Sequence, residues 1–376
     1  MAAMAETSGP SSRCRLLVEG FAKAGAEVAT CRAEDVNFKP FEGIRNFFLD
    51  VPMPMGLPSP IAKRMFPIAQ KTGITARKKV DSFDQVLFMT GNLDYGYIKK
   101  SVDSVRIAIK EFHTDIVYSE FNISAMIAAR IEGVPLCCTV SYPTQHEYAN
   151  KPGLAKGLNR YLEEEGLSRV DSALKLFDLA DKSFCTSIPE LEPIEKPDVT
   201  FCGTLKEKRD HAHTGNRDKI VVYMGNGTVS AGKMKQVITE AFARSKYEVF
   251  IASSYLEKED AGNIHIAPRW DFDELLEEAV LFINHGGQNS MMDGLIHGVP
   301  QIVVPGKVFE RKYNAGCIEK NNAGALVPAG TFTVDVIRNE AQILIGSEEI
   351  RDNARRLGAK LLDSGGAQTI LREILM

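Results

Sequence analysis

Short apolar runs alternate along the chain with longer amphipathic segments, most clearly in its second half. The apolar runs there are KIVVYMGNGT (219–228), YEVFIASS (247–254), NIHIAP (263–268), VLFIN (280–284) and QIVVPG (301–306). The segments between them include KMKQVITEAFARS (233–245), FDELLEEA (272–279) and MMDGLIHG (291–298). Strands that alternate with helices are typical of a parallel α/β sheet. The pattern therefore predicts a doubly wound domain in the second half.

The first half shows the same alternation over a shorter stretch. TDIVYSEF (114–121) predicts a strand, NISAMIAARIEG (122–133) a helix that ends at Gly133, and VPLCCTV (134–140) a second strand. A further helix is predicted over 97–112. Residues 37–79 contain six prolines and little periodicity. We expect loops and short helices there, on a rim that serves recognition.

Periodicity disappears around Thr186–Lys219, where a Pro- and Glu-rich part is followed by a polar part. Such a composition is typical of a domain linker. With 376 residues the chain also exceeds the size of one ordinary core. We therefore predict an N-terminal Rossmann-like domain at 1–200, a linker at 201–218 and a C-terminal Rossmann-like domain at 219–376. The predicted class is α/β, with two doubly wound parallel-sheet domains facing a cleft.

Charge and cysteine content exclude several classes of protein. The 45 basic and 49 acidic residues give a net charge of −4, which offers no electrostatic case for nucleic acid as a partner. No apolar run approaches the roughly 18 residues of a membrane span, and MAAMAETSGPSS lacks the pattern of a signal peptide. Seven scattered cysteines without a Cys-x-x-Cys pair indicate reduced thiols. We expect a cytoplasmic protein.

The stretch FINHGGQNSMMDGLIHGVPQIVVPG (282–306) carries the clearest candidate site. A strand should end at His285, and a helix should begin near Gln288–Ser290 and end at Gly298. Two glycines without Cβ atoms let backbone amides approach a bulky anion at the positive end of that helix. A diphosphate suits this arrangement, with His285 able to donate a hydrogen bond. Tight packing alone also explains a bare Gly-Gly turn.

The extended pattern HGGQNSMMDGLIHGVPQIVVP, followed by ERKYNAG (310–316), resembles the donor-binding signature of nucleotide-sugar glycosyltransferases with the GT-B fold. It is most similar to the inverting UDP-glycosyltransferases and their bacterial, MurG-like relatives. VVYMGNGT resembles that family's first C-terminal strand and phosphate turn. GGAQTILREILM (365–376) is similar to its last helix, which often crosses back to the first domain. The resemblance is strong over 219–376 and fainter before.

The resemblance implies roles for individual residues. Asp293 stands where the family usually has a Glu that holds ribose hydroxyls. Glu310 and Arg311 replace the usual Asp-Gln pair that grips the donor sugar. Arg269 and Trp270 are candidates for stacking on the base, although a half-buried core position suits Trp270 equally well. The diphosphate site comprises His285, Gly286, Gly287, Gln288, Asn289 and Ser290, together with Gly227 and Thr228 of the phosphate turn.

No metal or cofactor is expected. Asp271-Phe272-Asp273 matches the Asp-x-Asp pattern with which other glycosyltransferases bind manganese. Asp271 and Glu274 nevertheless form the spacing of a capping box at the start of a helix. Helix amides that stabilise the leaving diphosphate make a metal unnecessary.

The catalytic base is the part of the family pattern that this sequence lacks. The family usually has a His just after its first strand, whereas Pro10 or Ser11 stands there in this chain. Three residues are candidates for the base: Glu120 at a strand end, Ser11, and His146 in SYPTQHEY. Asp94 is a further one. Ser11 and Ser12 could instead cap the helix or contact phosphate, and Glu120 could be a surface carboxylate.

The resemblance implies an inverting glycosyltransferase. Its C-terminal domain would bind a nucleotide-diphosphate sugar, UDP above all, and its N-terminal domain a small-molecule, glycan or lipid-linked acceptor. Two alternatives are a sugar-nucleotide epimerase of the same fold and a degenerate homologue that only binds nucleotide. We expect a monomer or homodimer. Basic residues on the helix 97–112 would permit peripheral membrane contact, although a solvated face explains them too: Lys99, Lys100, Arg106 and Lys110.

Overall fold

The structure is a computed structural model that describes residues 1–4, 8–34, 38–53, 79–145, 153–207, 217–225 and 228–376. These residues divide into two compact units, each with a hydrophobic core of its own. The first unit contains the described residues of Met1–Phe66, Asp81–Lys206 and Ser364–Met376. The second contains those of Pro67–Val80 and Glu207–Asp363.

The first unit alternates strands with helices. Its elements are β1 (Ala2–Ala3), α1 (Ser8–Lys23), β2 (Ala29–Ala33), β3 (Arg45–Leu49), α2 (Phe83–Met89), α3 (Tyr95–Phe112), β4 (Val117–Glu120), α4 (Ile123–Glu132), β5 (Leu136–Val140), α5 (Lys156–Glu164), β6 (Lys182–Cys185) and β7 (Val199–Phe201). Local sequence signals set the ends of α4. The Asn122 side chain accepts a hydrogen bond from the Ala125 amide, and Gly133 ends the helix with φ +68°.

The strands of the first unit are parallel. Five of them lie in the order β1-β4-β5-β6-β7, and β2 pairs with β3. Met1 connects the two sheets, because its amine donates to the Ala29 carbonyl (3.0 Å) and its carbonyl accepts from the Cys31 amide (3.0 Å). The strand order is therefore 3-2-1-4-5-6-7, which reverses direction between β1 and β4. That reversal is the Rossmann-type topology.

The second unit repeats this architecture. Its elements are β8 (Lys219–Tyr223), α6 (Ala231–Phe242), β9 (Glu248–Ala252), β10 (Glu259–Ala261), β11 (Ile264–Ala267), α7 (Phe272–Glu277), β12 (Ala279–Asn284), α8 (Gln288–Ile296), β13 (Gln301–Val303), α9 (Phe309–Lys320), β14 (Gly324–Leu326), α10 (Val334–Gly346) and α11 (Glu348–Asp363). The sheet order is β10-β11-β9-β8-β12-β13-β14, with only β10 antiparallel. The order therefore reverses between β8 and β12.

The last helix, α12 (Gly366–Leu375), packs in the first unit. Ile370 and Leu371 join Leu17 and Phe21 of α1 in one buried cluster. A Cβ at Gly20 would lie 3.2 Å from a Leu371 methyl, so the two helices are in close contact. Burying these apolar side chains is what holds α12 against α1.

The predicted elements are present, with ends that differ by a few residues, as helix and strand boundaries commonly do. One prediction was wrong. Residues 37–79 were expected to contain only loops and short helices, yet they include the strand β3. Its residues RNFFL are mostly half-buried or exposed, so β3 differs from the central strands, whose longer apolar runs are buried. The short strands β10 and β14 were not predicted for the same reason.

Within the part of the chain that the structure describes, no helix has the length and apolar character needed to span a membrane. All seven cysteines lie in that part; they are buried and form no disulfide.

Candidate functional site

The candidate site of the second unit lies where β12 ends beside β8. These are the two strands between which the sheet order reverses, and ligands of open α/β sheets bind at the carboxyl ends of such strands. Asn284 closes β12, His285 follows, and Gly286 and Gly287 lead into α8. Gln288–Ile296 forms that helix, as the sequence predicted.

Gly286 is a position that only glycine fits. Its φ of +80° is in the left-handed region, which disfavours residues with a Cβ. A Cβ there would also lie 2.8 Å from the Arg311 carbonyl oxygen and 2.9 Å from a Val303 methyl. The backbone at this turn is therefore packed directly on the start of α9 and on β13.

Two further glycines enclose the His285 ring. A Cβ at Gly287 would lie 2.7 Å from Nε2, and one at Gly225, after β8, would lie 3.4 Å from three ring atoms. Tyr223 meets the ring edge-on, with 5.2 Å between centroids. Only 8% of His285 is exposed. The imidazole is thus fixed among backbone and aromatic neighbours.

His285 is neutral at physiological pH. Burial lowers the pKa of its imidazole to about 3, and the Arg311 guanidinium acts in the same direction. Nδ1 lies 3.4 Å from the Tyr223 carbonyl oxygen, which can only accept, so Nδ1 carries the hydrogen in this contact. The neutral ring then presents Nε2 as an acceptor. Donation from His285 to an anion, as the sequence suggested, therefore requires the other tautomer.

The start of α8 presents backbone amides at the turn. Its N-cap is Gly287, which has no side chain to cap the helix. The first amides of a helix and its dipole together favour an anion at this end. Asn289 is exposed, Gln288 is half-buried and Ser290 is buried. The predicted diphosphate-binding residues between His285 and Ser290 are therefore contiguous at one turn.

Three predicted donor contacts lie on the helices α8 and α9. Asp293 lies within α8 and is half-buried, and its carbonyl accepts from Nδ1 of His297 at 2.8 Å. Glu310 and Arg311 fall in the first turn of α9, both half-buried. Burial lowers the pKa of the Arg311 guanidinium, and Glu310 acts in the opposite direction. Because His285 is neutral, Arg311 is the cation beside it.

The remaining predicted donor residues follow the strands β8 and β11. Thr228 is half-buried, with its hydroxyl 3.4 Å from the Met224 carbonyl, while Gly227 lies outside the described residues. Arg269 is exposed. Trp270 is half-buried; its indole nitrogen donates to the Ile251 carbonyl at 3.2 Å and its ring meets Phe250 edge-on at 5.2 Å. These contacts match the core interpretation of Trp270.

The Asp-Phe-Asp stretch forms the start of the helix α7. Asp271 is the N-cap of α7, and its carboxylate accepts from the amides of Asp273 and Glu274 at 3.0 and 3.4 Å. Asp273 is buried, with a carboxylate oxygen 4.0 Å from Nε2 of His297. The two carboxylates thus serve different internal contacts.

Glu120 is neither an accessible base nor a surface carboxylate. Its side chain is completely buried, 3.0 Å from Nε of Arg13, and the Thr139 hydroxyl also donates to it. Burial raises the pKa of the Glu120 carboxyl, whereas Arg13 and Thr139 act to lower it. A carboxylate enclosed in this way cannot reach the hydroxyl of a bound acceptor, so we assign it a structural role.

The other base candidates are also accounted for where the structure describes them. Ser11 lies within α1 and is buried, with its hydroxyl accepting from Nη2 of Arg32 at 2.8 Å. The sequence suggested that Ser11 lies in a turn before the helix, and the structure shows that this placement is wrong. Asp94 caps α3 by accepting from the Tyr97 amide at 3.1 Å. His146 lies outside the described residues.

Three of the four basic residues proposed for membrane contact are in ion pairs on the same unit. Lys99 lies 3.2 Å from Glu164, and Lys110 lies 3.2 Å from Glu132. Arg106 contacts Glu132 at 2.6 Å and Glu165 at 3.4 Å. These acidic neighbours compensate the charge of the helix face, which leaves less positive charge for an anionic membrane surface.

Three buried amides around the turn were not predicted from the sequence: Asn284, Gln301 and Asn314. Each is hydrogen bonded to the turn or to another of the three. A signal was present. Asn284 ends an otherwise apolar strand and Gln301 begins one, and a buried polar residue in such a run needs a partner.

Comparison with known proteins finds similarity to sugar-transfer enzymes. The family described as "Erythromycin biosynthesis protein CIII-like, C-terminal domain" matches residues 242–375. The NDP-glycosyltransferase YjiC of Bacillus subtilis (strain 168) is 23% identical over 304 residues, which cover 74% of this chain and 77% of that protein.

Solved structures of similar fold superpose on the whole length of the chain. The glycotransferase of kitacinnamycin superposes with a TM-score of 0.74 at 18% identity, covering 100% of this chain and 97% of its own. The spinosyn rhamnosyltransferase SpnG, complexed with thymidine diphosphate, gives a TM-score of 0.71 at 11% identity, with 100% and 99% coverage. These likenesses show the fold, which is GT-B.

Proposed function

We propose that this chain, a UDP-glycosyltransferase-like protein with the GT-B fold, is an inverting glycosyltransferase. It transfers a sugar from a nucleotide-diphosphate sugar, UDP above all, to a hydroxyl group of an acceptor. The observation that carries the proposal is the glycine turn that opens α8 at the reversal between β8 and β12. The matching family and YjiC support it.

The turn would hold the diphosphate of the donor. The amides of Gln288–Ser290 and the dipole of α8 stabilise the charge that develops on the leaving diphosphate. The positive charge beside the turn comes from Arg311, because its neighbour His285 is neutral. Asp293 is assigned to the ribose hydroxyls, Glu310 to the donor sugar, and exposed Arg269 to the base. SpnG, complexed with thymidine diphosphate, supports a diphosphate ligand for this fold.

The first unit is assigned to the acceptor. Inversion at the anomeric carbon requires a base that takes the proton of the attacking hydroxyl. Because Glu120 and Ser11 are engaged in buried contacts and Asp94 caps α3, we retain His146 as the base candidate. Transfer is expected to need no metal, because amides and Arg311 neutralise the leaving group.

A transfer assay tests the proposal. UDP- and dTDP-sugars are incubated with small-molecule, glycan and lipid-linked acceptors that carry free hydroxyls, and the released nucleotide and the product are measured by liquid chromatography with mass spectrometry. We expect product only with an acceptor, undiminished by EDTA and lost in His146→Ala. An epimer formed without acceptor would reveal an epimerase instead. Failure of UDP and dTDP to bind in calorimetry would refute the donor site.

A further inference from the structure

Four hydrogen bonds among buried amides connect the glycine turn to three neighbouring elements. They run from Gln301 Nε2 to the Met291 carbonyl (2.8 Å), from Asn284 Nδ2 to Gln301 Oε1 (2.8 Å), from the Gly286 amide to Asn284 Oδ1 (2.9 Å), and from Asn314 Nδ2 to the Gly286 carbonyl (2.8 Å). Asn284 and Gln301 are 0% exposed and Asn314 is 2% exposed. We call the first three bonds the amide relay.

The direction of the amide relay is fixed by the backbone at both ends. The Gly286 N–H can only donate, so Asn284 must present its oxygen there and its NH₂ to Gln301. The Met291 carbonyl can only accept, so Gln301 must present its NH₂ to it and its oxygen to Asn284. Neither side-chain amide can be turned over without placing two like groups together.

Gln301 is closely packed against two glycines, one beside its side chain and one beside its backbone. A Cβ at Gly294 would lie 2.6 Å from its Cδ and Nε2 atoms, and one at Gly324 would lie 2.0 Å from its carbonyl oxygen. Gly294 on α8 therefore makes room for this side chain, and Gly324 on β14 makes room for the Gln301 backbone. A buried polar group held this tightly is rigid only while all its hydrogen bonds are made.

The relay acts on both sides of the turn. At Gly286 it takes up the backbone amide, which fixes the turn that leads into α8. At Met291, in the first turn of α8, it ties that turn to β13. The positions of the Gln288–Ser290 amides are thus determined from both ends by Asn284 and Gln301.

We infer that Asn284 and Gln301 are positioning residues for the donor diphosphate, an inference that rests on the proposed function. They do not touch the ligand; they hold the turn and the first turn of α8 in the arrangement that receives it. Without the relay, the amides must be ordered by the ligand itself, which weakens binding of the diphosphate but leaves contacts to the nucleoside unchanged.

Two variants of the full-length chain break the relay in different ways. Gln301→Met keeps the size of the side chain but removes both hydrogen bonds. Asn284→Asp keeps the acceptor for Gly286 and replaces the donor to Gln301 with an oxygen. The matched control is Asn263→Asp, because Nδ2 of Asn263 donates to the carbonyls of Phe242 (2.9 Å) and Tyr247 (2.6 Å). Asn263 precedes β11, at the opposite, amino edge of the same sheet.

Affinity for UDP is measured by calorimetry, affinity for uridine by NMR titration, and stability by urea unfolding. We expect Gln301→Met and Asn284→Asp to bind UDP at least about tenfold more weakly, a loss of about 1.4 kcal/mol, with uridine affinity unchanged. Asn263→Asp should lose stability but keep both affinities.

The outcomes separate this inference from the function on which it rests. If both relay variants lose stability as the control does and bind UDP as the wild type does, the relay is structural support only and the inference is overturned. If the wild type binds neither UDP nor dTDP, the proposed function fails, and the inference fails with it.

Discussion

The two sheets end differently at equivalent points. In the first unit, β4 follows the reversal of strand order and ends in Glu120, whose buried carboxylate accepts from Arg13 and Thr139. In the second unit, β12 occupies the same place and ends in Asn284, followed by His285 and two glycines. The first edge balances its charge internally, whereas the second gathers amides and a cation around a neutral ring. Of these two described strand ends, the second has the features that favour an external anion.

The backbone after each strand shows the same contrast. Phe121 follows β4 with φ +60°, a conformation that a bulky residue rarely adopts. Its ring is held edge-on against Phe83 and Phe177, with centroids 5.6 and 5.9 Å away. Gly286 adopts φ +80° after β12. The first turn is therefore fixed by core packing, and the second brings its backbone close to other backbone.

Breaking the ion pair of the first unit should have the largest effect. Arg13→Met leaves the Glu120 carboxylate buried without its guanidinium, and we expect the free energy of unfolding to fall by about 3–5 kcal/mol. Affinity for UDP should not change, because the donor residues belong to the second unit. Urea unfolding and calorimetry measure the two quantities. The double variant Arg13→Met/Glu120→Leu should recover part of the loss; a double variant less stable than Arg13→Met would contradict this account.

A Cβ at Gly286 should have the next largest effect. Gly286→Ala adds left-handed strain of about 1–2 kcal/mol and contacts of 2.8 and 2.9 Å with Arg311 and Val303. We expect lower stability and a loss of UDP affinity. The matched control is Gly133→Ala in the first unit, which has φ +68° but no atom within 4 Å of the added Cβ. The control should show the strain alone; equal losses in both variants would remove the special role of the Gly286 contacts.

His285 should make a smaller contribution that depends on pH. Its pKa falls from 6.5 to about 3 on folding, so between these values the unfolded chain binds more protons than the folded one. Stability from this residue is therefore complete above about pH 6.5 and is lost as pH falls, by at most about 1.4 kcal/mol per pH unit. The slope of unfolding free energy from pH 7 to 5 should be shallower in His285→Gln. Identical slopes would show that the ring is not held neutral.

The sequence predicted the second unit well because its central strands are buried on both faces and read as apolar runs. It also placed the glycine turn, since a strand end, two glycines and a helix start are local signals. The amide relay depends on the register that sets Phe282 beside Gln301. No local pattern reveals that pairing, so the relay appears only in the folded chain.

Glu120 illustrates the same limit. Its position at a strand end was predicted, but its burial depends on Arg13, 107 residues earlier in the chain. A carboxylate alone in sequence is most often solvated, and it is the packing of α1 and β5 beside β4 that encloses this one. The sequence therefore placed Glu120 at the end of a strand, as the structure has it, but assigned it the wrong environment.

The placement of α12 has a consequence for synthesis on the ribosome. Because α12 covers Leu17 and Phe21 of α1, the first unit cannot finish folding until residues 366–375 have emerged. The described residues of the second unit end at Asp363 and so precede α12 in the chain. Of the two units, the one translated earlier thus keeps the apolar face of α1 uncovered until the later one has been synthesised, and transiently exposed apolar surface of this kind is prone to aggregation.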